Sequence, residues 1–165
     1  MPVVLDIDGL NFTFPVSWDA GKYDDWSFYR NQFSQQRNDI KAVDAIAVSP
    51  AKCVYFIEVK DYRRPGTPNP SELAHVIAKK VHDTLAAMLP AKLNATDTDE
   101  KRLAGKVIKC VSLCVVAHIE LPSGGMPLVD LGDLKQKLKQ LLKAVDSHPK
   151  IVSMQNMRDL QWKVT

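Results

Sequence analysis

Alternating apolar and polar residues open the chain and predict a β-hairpin over residues 3–14, with its turn at residues 8–9. Aromatic residues then recur at helical spacing. A first helix is therefore expected from an N-cap at Asp24 or Asp25 to about residue 36.

Two apolar runs rich in β-branched and aromatic residues follow, over residues 42–48 and 53–60. The turn-forming segment 49–52 joins them, so a second hairpin is expected. A loop containing Pro65, Pro68 and Pro70 comes next, because proline at this density excludes both a helix and a central strand.

Helices and strands are predicted to alternate over the rest of the chain. Its pattern predicts a helix over 71–89, a polar loop over 94–102, a buried strand over 107–121, an amphipathic helix over 131–145 and short strands over 151–154 and 160–164. This order is typical of an α/β fold, with a single mixed sheet flanked by helices. We expect one domain over 1–165, with a core at about 24–121, an N-terminal hairpin and a C-terminal helix and short strands over 128–164.

Composition narrows the class of protein. The chain has 165 residues, 45% of them hydrophobic and 25% charged, which fits one globular domain and excludes a disordered chain. No apolar run approaches the roughly 20 residues of a membrane span, and no basic leader precedes the first apolar stretch, so we expect a cytoplasmic protein without a membrane partner. A net charge of +3 is too small to indicate a nucleic-acid partner by itself.

The candidate chemistry lies in the second hairpin. Glu58 and Lys60 close an otherwise apolar strand and share one face of it, where unpaired charges are costly. Asp44 also interrupts an apolar run. If residues 49 and 53 pair across the turn, Asp44 falls directly opposite Glu58 on the same face.

Two facing carboxylates require a shared proton or a cation. Oxygen ligands of this kind suit Mg²⁺ or Mn²⁺, and Lys60 is then placed to stabilise developing negative charge or to orient an attacking water. The alternative is a structural ion-pair cluster of Asp44, Glu58 and Lys60 at the margin of the sheet.

Asp44, thirteen intervening residues and then Glu58-Val59-Lys60 on the second strand of a hairpin resemble the PD-(D/E)XK nuclease superfamily, which has the restriction-endonuclease-like fold. The resemblance implies that Asp44, Glu58 and the backbone carbonyl of Val59 bind the metal and that Lys60 assists phosphodiester hydrolysis. The first helix lacks the Glu that the family often places there, so Asp24 or Asp25 would have to serve, and Asp25 is a candidate ligand.

The function implied by this resemblance is Mg²⁺- or Mn²⁺-dependent hydrolysis of a nucleic-acid phosphodiester, with DNA as the first expectation. The alternative is a catalytically inactive module of the same fold that binds nucleic acid or protein. Arg63, Arg64 and Lys79 are the candidate contacts to the phosphate backbone. For the arginines the other interpretation is a solvated turn, and for Lys79 an exposed polar helix face.

Overall fold

The computed structural model describes residues 1–69 and 71–165, so Pro70 of the proline-rich loop lies outside the described residues. Four α-helices and eight strands account for most of the regular structure in these ranges. The helices are α1 (Ser27–Asn31), α2 (Leu73–Asn94), α3 (Thr98–Ile108) and α4 (Leu131–Leu141). The strands are β1 (Val3–Ile7), β2 (Leu10–Phe14), β3 (Asp19–Lys22), β4 (Ala45–Val48), β5 (Cys53–Asp61), β6 (Ser112–Glu120), β7 (Lys150–Val152) and β8 (Lys163–Val164).

The strands form two sheets, whereas the sequence predicted a single one. The larger sheet is mixed and has the order β3-β4-β5-β6-β7, with β3, β4 and β5 antiparallel and β5, β6 and β7 parallel. The smaller sheet is antiparallel and has the order β1-β2-β8. The expected α/β class is confirmed, and the N-terminal hairpin belongs to the smaller sheet.

The molecule has three layers, with the mixed sheet in the middle. Val54, Phe56, Val115 and Ala117 of that sheet pack in one cluster with the buried residues of α2, α3 and α4. The intervening strand residues pack on the opposite face in a second cluster, against the apolar residues of β1, β2 and β8. Alternation along β4 and β5 therefore decides which side chains lie under the helices.

The second hairpin forms in the register that the sequence predicted. Val48 pairs with Val54 and Ala45 with Ile57, so the same register continued by one residue sets Asp44 opposite Glu58. The strand β4 begins only at Ala45, and Asp44 is therefore the residue before the strand rather than a residue inside it. The segment 42–44 had been expected to be part of the strand.

Two boundaries between β5 and β6 were predicted wrongly. The helix expected to stop at residue 89 continues through Pro90 to Asn94, because Met88 and Ala91 remain buried in the core on either side of the proline. The expected polar loop over 94–102 instead contains the start of α3. Asp97 caps this helix by accepting hydrogen bonds from the backbone N–H groups of residues 99 and 100.

The beginning of the predicted strand 107–121 is also helical, because Val107 and Ile108 belong to α3 and β6 starts at Ser112. Packing of Leu103, Ala104 and Val107 against the core stabilises α3 despite its polar composition. The short strand β3 (Asp19–Lys22) is an element that the sequence pattern did not reveal.

The first helix is shorter than expected. The segment 23–36 consists of α1 between two turns of 3₁₀ helix, and neither Asp24 nor Asp25 caps α1. The Glu100 carboxylate of α3 accepts hydrogen bonds from the backbone N–H groups of Ser27 (2.6 Å) and Phe28 (3.1 Å). A side chain more than 70 residues away in sequence thus satisfies the helix N-terminus.

None of the helices in residues 1–69 and 71–165 is long and apolar enough to cross a membrane.

Candidate active site

Asp44 is held in place by two hydrogen bonds of its own and by one from the preceding residue. Its Oδ2 accepts a hydrogen bond of 2.6 Å from the N–H of Val59 in β5, and its carbonyl accepts one of 3.0 Å from the N–H of Tyr23. The N–H of the preceding Val43 donates to the Thr84 hydroxyl of α2 at 3.1 Å. These bonds fix the carboxylate at the end of β4, beside Glu58.

Glu58 lies under α2, where only 1% of its side chain is exposed. Its Oε1 is 2.6 Å from the ammonium of Lys80 in α2 and 3.2 Å from the ammonium of Lys60. The Lys80 ammonium also lies 3.7 Å from Asp44 Oδ1, so both carboxylates contact one lysine. Asp44, Glu58, Lys60 and Lys80 are called the carboxylate–lysine cluster below.

The electrostatics of this cluster oppose full ionisation of its acids. Burial, together with the charge of Asp44, raises the pKa of Glu58 to about 7. Burial also raises the pKa of Asp44, although Lys80 and the bond from Val59 act in the other direction. Burial acts to lower the pKa of Lys80, but the charges of Glu58 and Asp44 outweigh it and the pKa is raised. The cluster therefore keeps cationic ammonium beside carboxylates that are difficult to ionise.

A third acid reaches the cluster from the segment before α1. Burial and the Asp44 charge raise the pKa of Asp24 to about 6, and its Oδ1 is buried without a hydrogen-bond partner among the described residues. Asp25, which was the expected candidate ligand, instead pairs at the surface with Lys22 and Arg30. Of the two acids, Asp24 is thus the one on which the charge of Asp44 acts.

A cavity of about 440 Å³ opens next to the cluster. Lys60 lines it, together with Asp8 from the turn of the first hairpin and Arg64 and Thr67 from the loop after β5. The Arg64 guanidinium donates to the carbonyl of Asp8 and so joins the two walls. Lys60 is the residue of the cluster that both contacts Glu58 and lines the cavity.

The other expected nucleic-acid contacts have partners within the protein. Arg63 donates two hydrogen bonds of 2.8 Å to the Asp61 carboxylate and lies 3.8 Å from Glu120 at the end of β6. Lys79 pairs with Asp83 at 2.8 Å and with Asp39 at 3.5 Å on the outer face of α2. Of the three expected contacts, Arg64 is the one that lines the cavity beside Lys60.

The donors needed for a divalent cation are only partly assembled. In the part of the chain that the structure describes, no three His, Cys, Asp or Glu side chains form a metal-binding group. Glu58 Oε2, however, is buried without a hydrogen-bond partner in the same part of the chain. An unsatisfied carboxylate oxygen is costly, and a hard cation is one group that would satisfy it. The oxygen donors of Asp44 and Glu58 therefore fit Mg²⁺ or Mn²⁺.

Sequence reasoning did not identify Lys80, and it named Asp25 rather than Asp24 as the candidate ligand. Lys80 is three residues after the buried Ile77 and four before the buried Thr84, so helical spacing puts it on the face of α2 that packs on the sheet. A lysine on a buried helix face requires a carboxylate partner, and this was the available signal. The sequence could not distinguish Asp24 from the neighbouring Asp25, because both residues are aspartates.

No family model matches this sequence, and no solved structure matches it. Among curated proteins, the chain is similar to a cysteine–tRNA ligase of Neisseria meningitidis, with 31% identity over 144 residues. The match covers 69% of this chain and 20% of the ligase, so the chain spans about a fifth of that relative's length.

Proposed function

We propose that this protein is a metal-dependent nuclease of the PD-(D/E)XK type, which hydrolyses a phosphodiester bond in nucleic acid. The observation that carries the proposal is the buried Glu58 beside Asp44, with one orphaned carboxylate oxygen and with Lys60 between it and an open cavity. Groups with strongly perturbed pKa values and specific charge partners beside a cavity are characteristic of functional sites.

The topology around the cluster supports the restriction-endonuclease-like core in this proposal. A helix precedes the antiparallel pair β4 and β5, and α2 and α3 then lead to β6, which pairs parallel to β5. Asp44 and Glu58 lie opposite each other at the end of this hairpin that is away from its turn. This is the order of elements in which the Asp44 and Glu58-Val59-Lys60 motif is expected.

In the proposed site, the carboxylates of Asp44 and Glu58 and the carbonyl of Val59 would hold Mg²⁺ or Mn²⁺, with Asp24 as an additional acid nearby. The ion would lower the pKa of a bound water and neutralise charge on the phosphate. Lys60 would stabilise the charge that develops on the phosphate oxygens, because this residue lines the cavity. Arg64 would hold a backbone phosphate on the far side.

The relative described above supports a nucleic-acid partner. That protein is named as a ligase that joins cysteine to tRNA, and tRNA is a nucleic acid. DNA remains the first substrate that the resemblance to PD-(D/E)XK nucleases implies. RNA, including tRNA, therefore belongs in the same substrate panel.

A second candidate function is favoured by Lys80. Its ammonium is 2.6 Å from Glu58 and within 4 Å of Asp44, so it already supplies a positive charge to both carboxylates. A permanent internal cation at this place is the arrangement expected of an inactive nuclease fold that only binds nucleic acid or protein. The two candidates differ in whether a divalent ion displaces Lys80.

Cleavage assays with labelled single- and double-stranded DNA and RNA test the first candidate. With Mg²⁺ or Mn²⁺ present, we expect the parent protein to cleave one of these substrates, and Asp44→Asn, Glu58→Gln and Lys60→Met to lose at least about a hundredfold in rate. Asp99→Asn and Lys101→Met change exposed residues of α3 and are the matched controls. Cleavage that survives Lys60→Met, or that ignores chelation of the metal, would exclude this mechanism.

A further inference from the structure

A second cavity, also of about 440 Å³, lies at the β7 edge of the mixed sheet, away from the carboxylate–lysine cluster. Lys135 and Lys139 of α4 line one side. Lys150 of β7 and Arg158 and Asp159 of the following segment line the other, with His148 between them. The α4 helix and the segment from His148 to Asp159 thus bring four cationic side chains to one concave surface.

Positive charge in this cavity exceeds negative charge by three, since Asp159 is the one carboxylate among its lining residues. That excess is as large as the formal net charge of the whole chain, which is +3. Asp159 is already engaged by Lys150. Lys135, Lys139 and Arg158 have no carboxylate partner among the described residues, whereas Lys137 on the same helix pairs with Asp133 at 2.9 Å.

Like charges at helical spacing of four residues destabilise one another, as Lys135 and Lys139 do here. Arg158 is fixed next to them, because its Nε donates to the carbonyl of Ile151 at 3.2 Å. Its backbone also has a φ of 53°, in the left-handed region that non-glycine residues seldom adopt. The cavity therefore holds several cationic side chains that have no carboxylate partner. A bound anion would reduce the repulsion between them.

We propose that this cavity is a phosphate-binding site. A fixed guanidinium and two lysines match the tetrahedral oxygens of phosphate, which accept several charge-assisted hydrogen bonds. A phosphomonoester carries about two negative charges at neutral pH. This charge matches the excess of three positive charges in the cavity better than the single charge of a carboxylate does. The phosphate belongs either to a small phosphomonoester or to a nucleic-acid backbone, and the cavity chemistry is the same for both.

Chelation of divalent ions prevents metal-dependent cleavage during the binding measurement. The full-length protein in EDTA is titrated by calorimetry with inorganic phosphate and with adenosine monophosphate, and by fluorescence anisotropy with labelled single-stranded DNA and RNA oligonucleotides. Lys139→Gln and Arg158→Gln should each raise the dissociation constant about tenfold, which corresponds to the loss of one charge-assisted hydrogen bond. For an oligonucleotide, each change should also reduce the salt dependence of binding by about one phosphate contact.

Lys143→Gln is the matched control, because it removes the same charge from an exposed position beyond α4 that does not line the cavity. It should change the dissociation constant less than twofold. Binding of the small phosphates identifies a phosphomonoester as the source, and binding of oligonucleotides alone identifies a nucleic-acid backbone. Equal effects of Lys139→Gln and Lys143→Gln, or no binding to any of the four probes, would overturn the proposal.

Thermal melts of the variants separate loss of binding from loss of structure. Lys139 and Arg158 are exposed, so both variants should melt close to the parent protein. Failure of the nuclease assays would not affect this proposal. Among the described residues, neither Lys139 nor Arg158 contacts the carboxylate–lysine cluster.

Discussion

Glu58 combines nearly complete burial with a charge, and its environment makes the stability of the protein depend on pH. Its pKa in the folded state, about 7, lies above the ordinary value of 4.5. Folding therefore favours the protonated form. The resulting stabilisation is complete below the ordinary pKa and is lost as the pH rises through 7.

Between pH 5 and pH 8, we expect this loss to lower the free energy of unfolding by roughly 3 kcal/mol. In Glu58→Gln the decline should be much smaller, and at pH 8 the variant should be at least as stable as the parent protein. The smaller decline in the free energy of unfolding that remains in Glu58→Gln below pH 7 comes from Asp24, whose pKa is raised to about 6. Urea denaturation at pH 5, 6.5 and 8 measures both profiles. Parallel profiles would show that Glu58 does not titrate in this range.

Lys80 supplies a positive charge to both carboxylates of the cluster. Replacing it by methionine leaves Asp44 and Glu58 facing each other without the lysine that contacts both. At pH 8, Lys80→Met should therefore lower the free energy of unfolding by about 3 kcal/mol. If the carboxylates form a metal site, Mn²⁺ should restore more stability to this variant than it adds to the parent protein.

Lys79→Met is the control for Lys80→Met. Lys79 is the neighbouring residue on the outer face of α2, and its partial exposure and surface ion pairs predict a loss of less than about 1 kcal/mol. Denaturation of both variants with and without Mn²⁺ gives the comparison. Equal losses in the two variants would show that Lys80 has no special place in the cluster.

At the scale of elements, Arg63 joins the ends of β5 and β6. The carboxylates of Asp61 and Glu120 are buried, and Arg63 lies 2.8 Å from the first and 3.8 Å from the second. Glu120 Oε1 in turn accepts a hydrogen bond of 2.6 Å from the N–H of Met154. Arg63 is thus part of the framework of the molecule, and its side chain is engaged there.

Arg63→Ala should lower the free energy of unfolding by roughly 3 kcal/mol, because it leaves the buried Asp61 carboxylate without its cation and removes the guanidinium beside Glu120. Arg64→Ala removes an exposed guanidinium that lines the first cavity and should change stability by less than about 0.5 kcal/mol. Chemical denaturation of the two variants measures the difference. A similar small effect of both changes would contradict the structural role of Arg63.

Local patterns predicted the elements whose partners are close in sequence. The hairpin of β4 and β5 was predicted with its register, because a short turn fixes the pairing and one-sided burial fixes the face. The turn of the first hairpin also followed from sequence, since Asp8 and Gly9 both adopt positive φ values, 53° and 79°. The juxtaposition of Asp44 and Glu58 depends only on these local rules.

The missed features depend on contacts that are distant in sequence. The α3 helix is polar on most of its surface and is stabilised by packing of a few residues and by the Asp97 cap. The N-terminus of α1 depends on Glu100, and the continuation of α2 past Pro90 depends on buried neighbours. Lys80 joined the cluster in the same way, through the packing of a helix on a sheet.

At the scale of the whole molecule, the division into two sheets was not predictable from local pattern. Residues 12 and 13 of β2 pair with residues 164 and 163 of β8, so the ends of the chain close the smaller sheet together. That sheet covers the face of the mixed sheet opposite the helices. The carboxylate–lysine cluster therefore lies between α2 and the central strands, with an opening beside the first hairpin.

The proposed binding of one divalent cation by Asp44 and Glu58 can be tested by thermal melts with and without Mn²⁺. At a hundred times the dissociation constant, a ligand specific for the folded state adds about 2.7 kcal/mol, or roughly 5–10 °C in Tm for a chain of this length. We expect this increase for the parent protein and for Asp99→Asn, and none for Asp44→Asn or Glu58→Gln. An unchanged Tm in the parent protein, together with destabilised apo Asp44→Asn and Glu58→Gln, would show that the cluster is a structural ion pair.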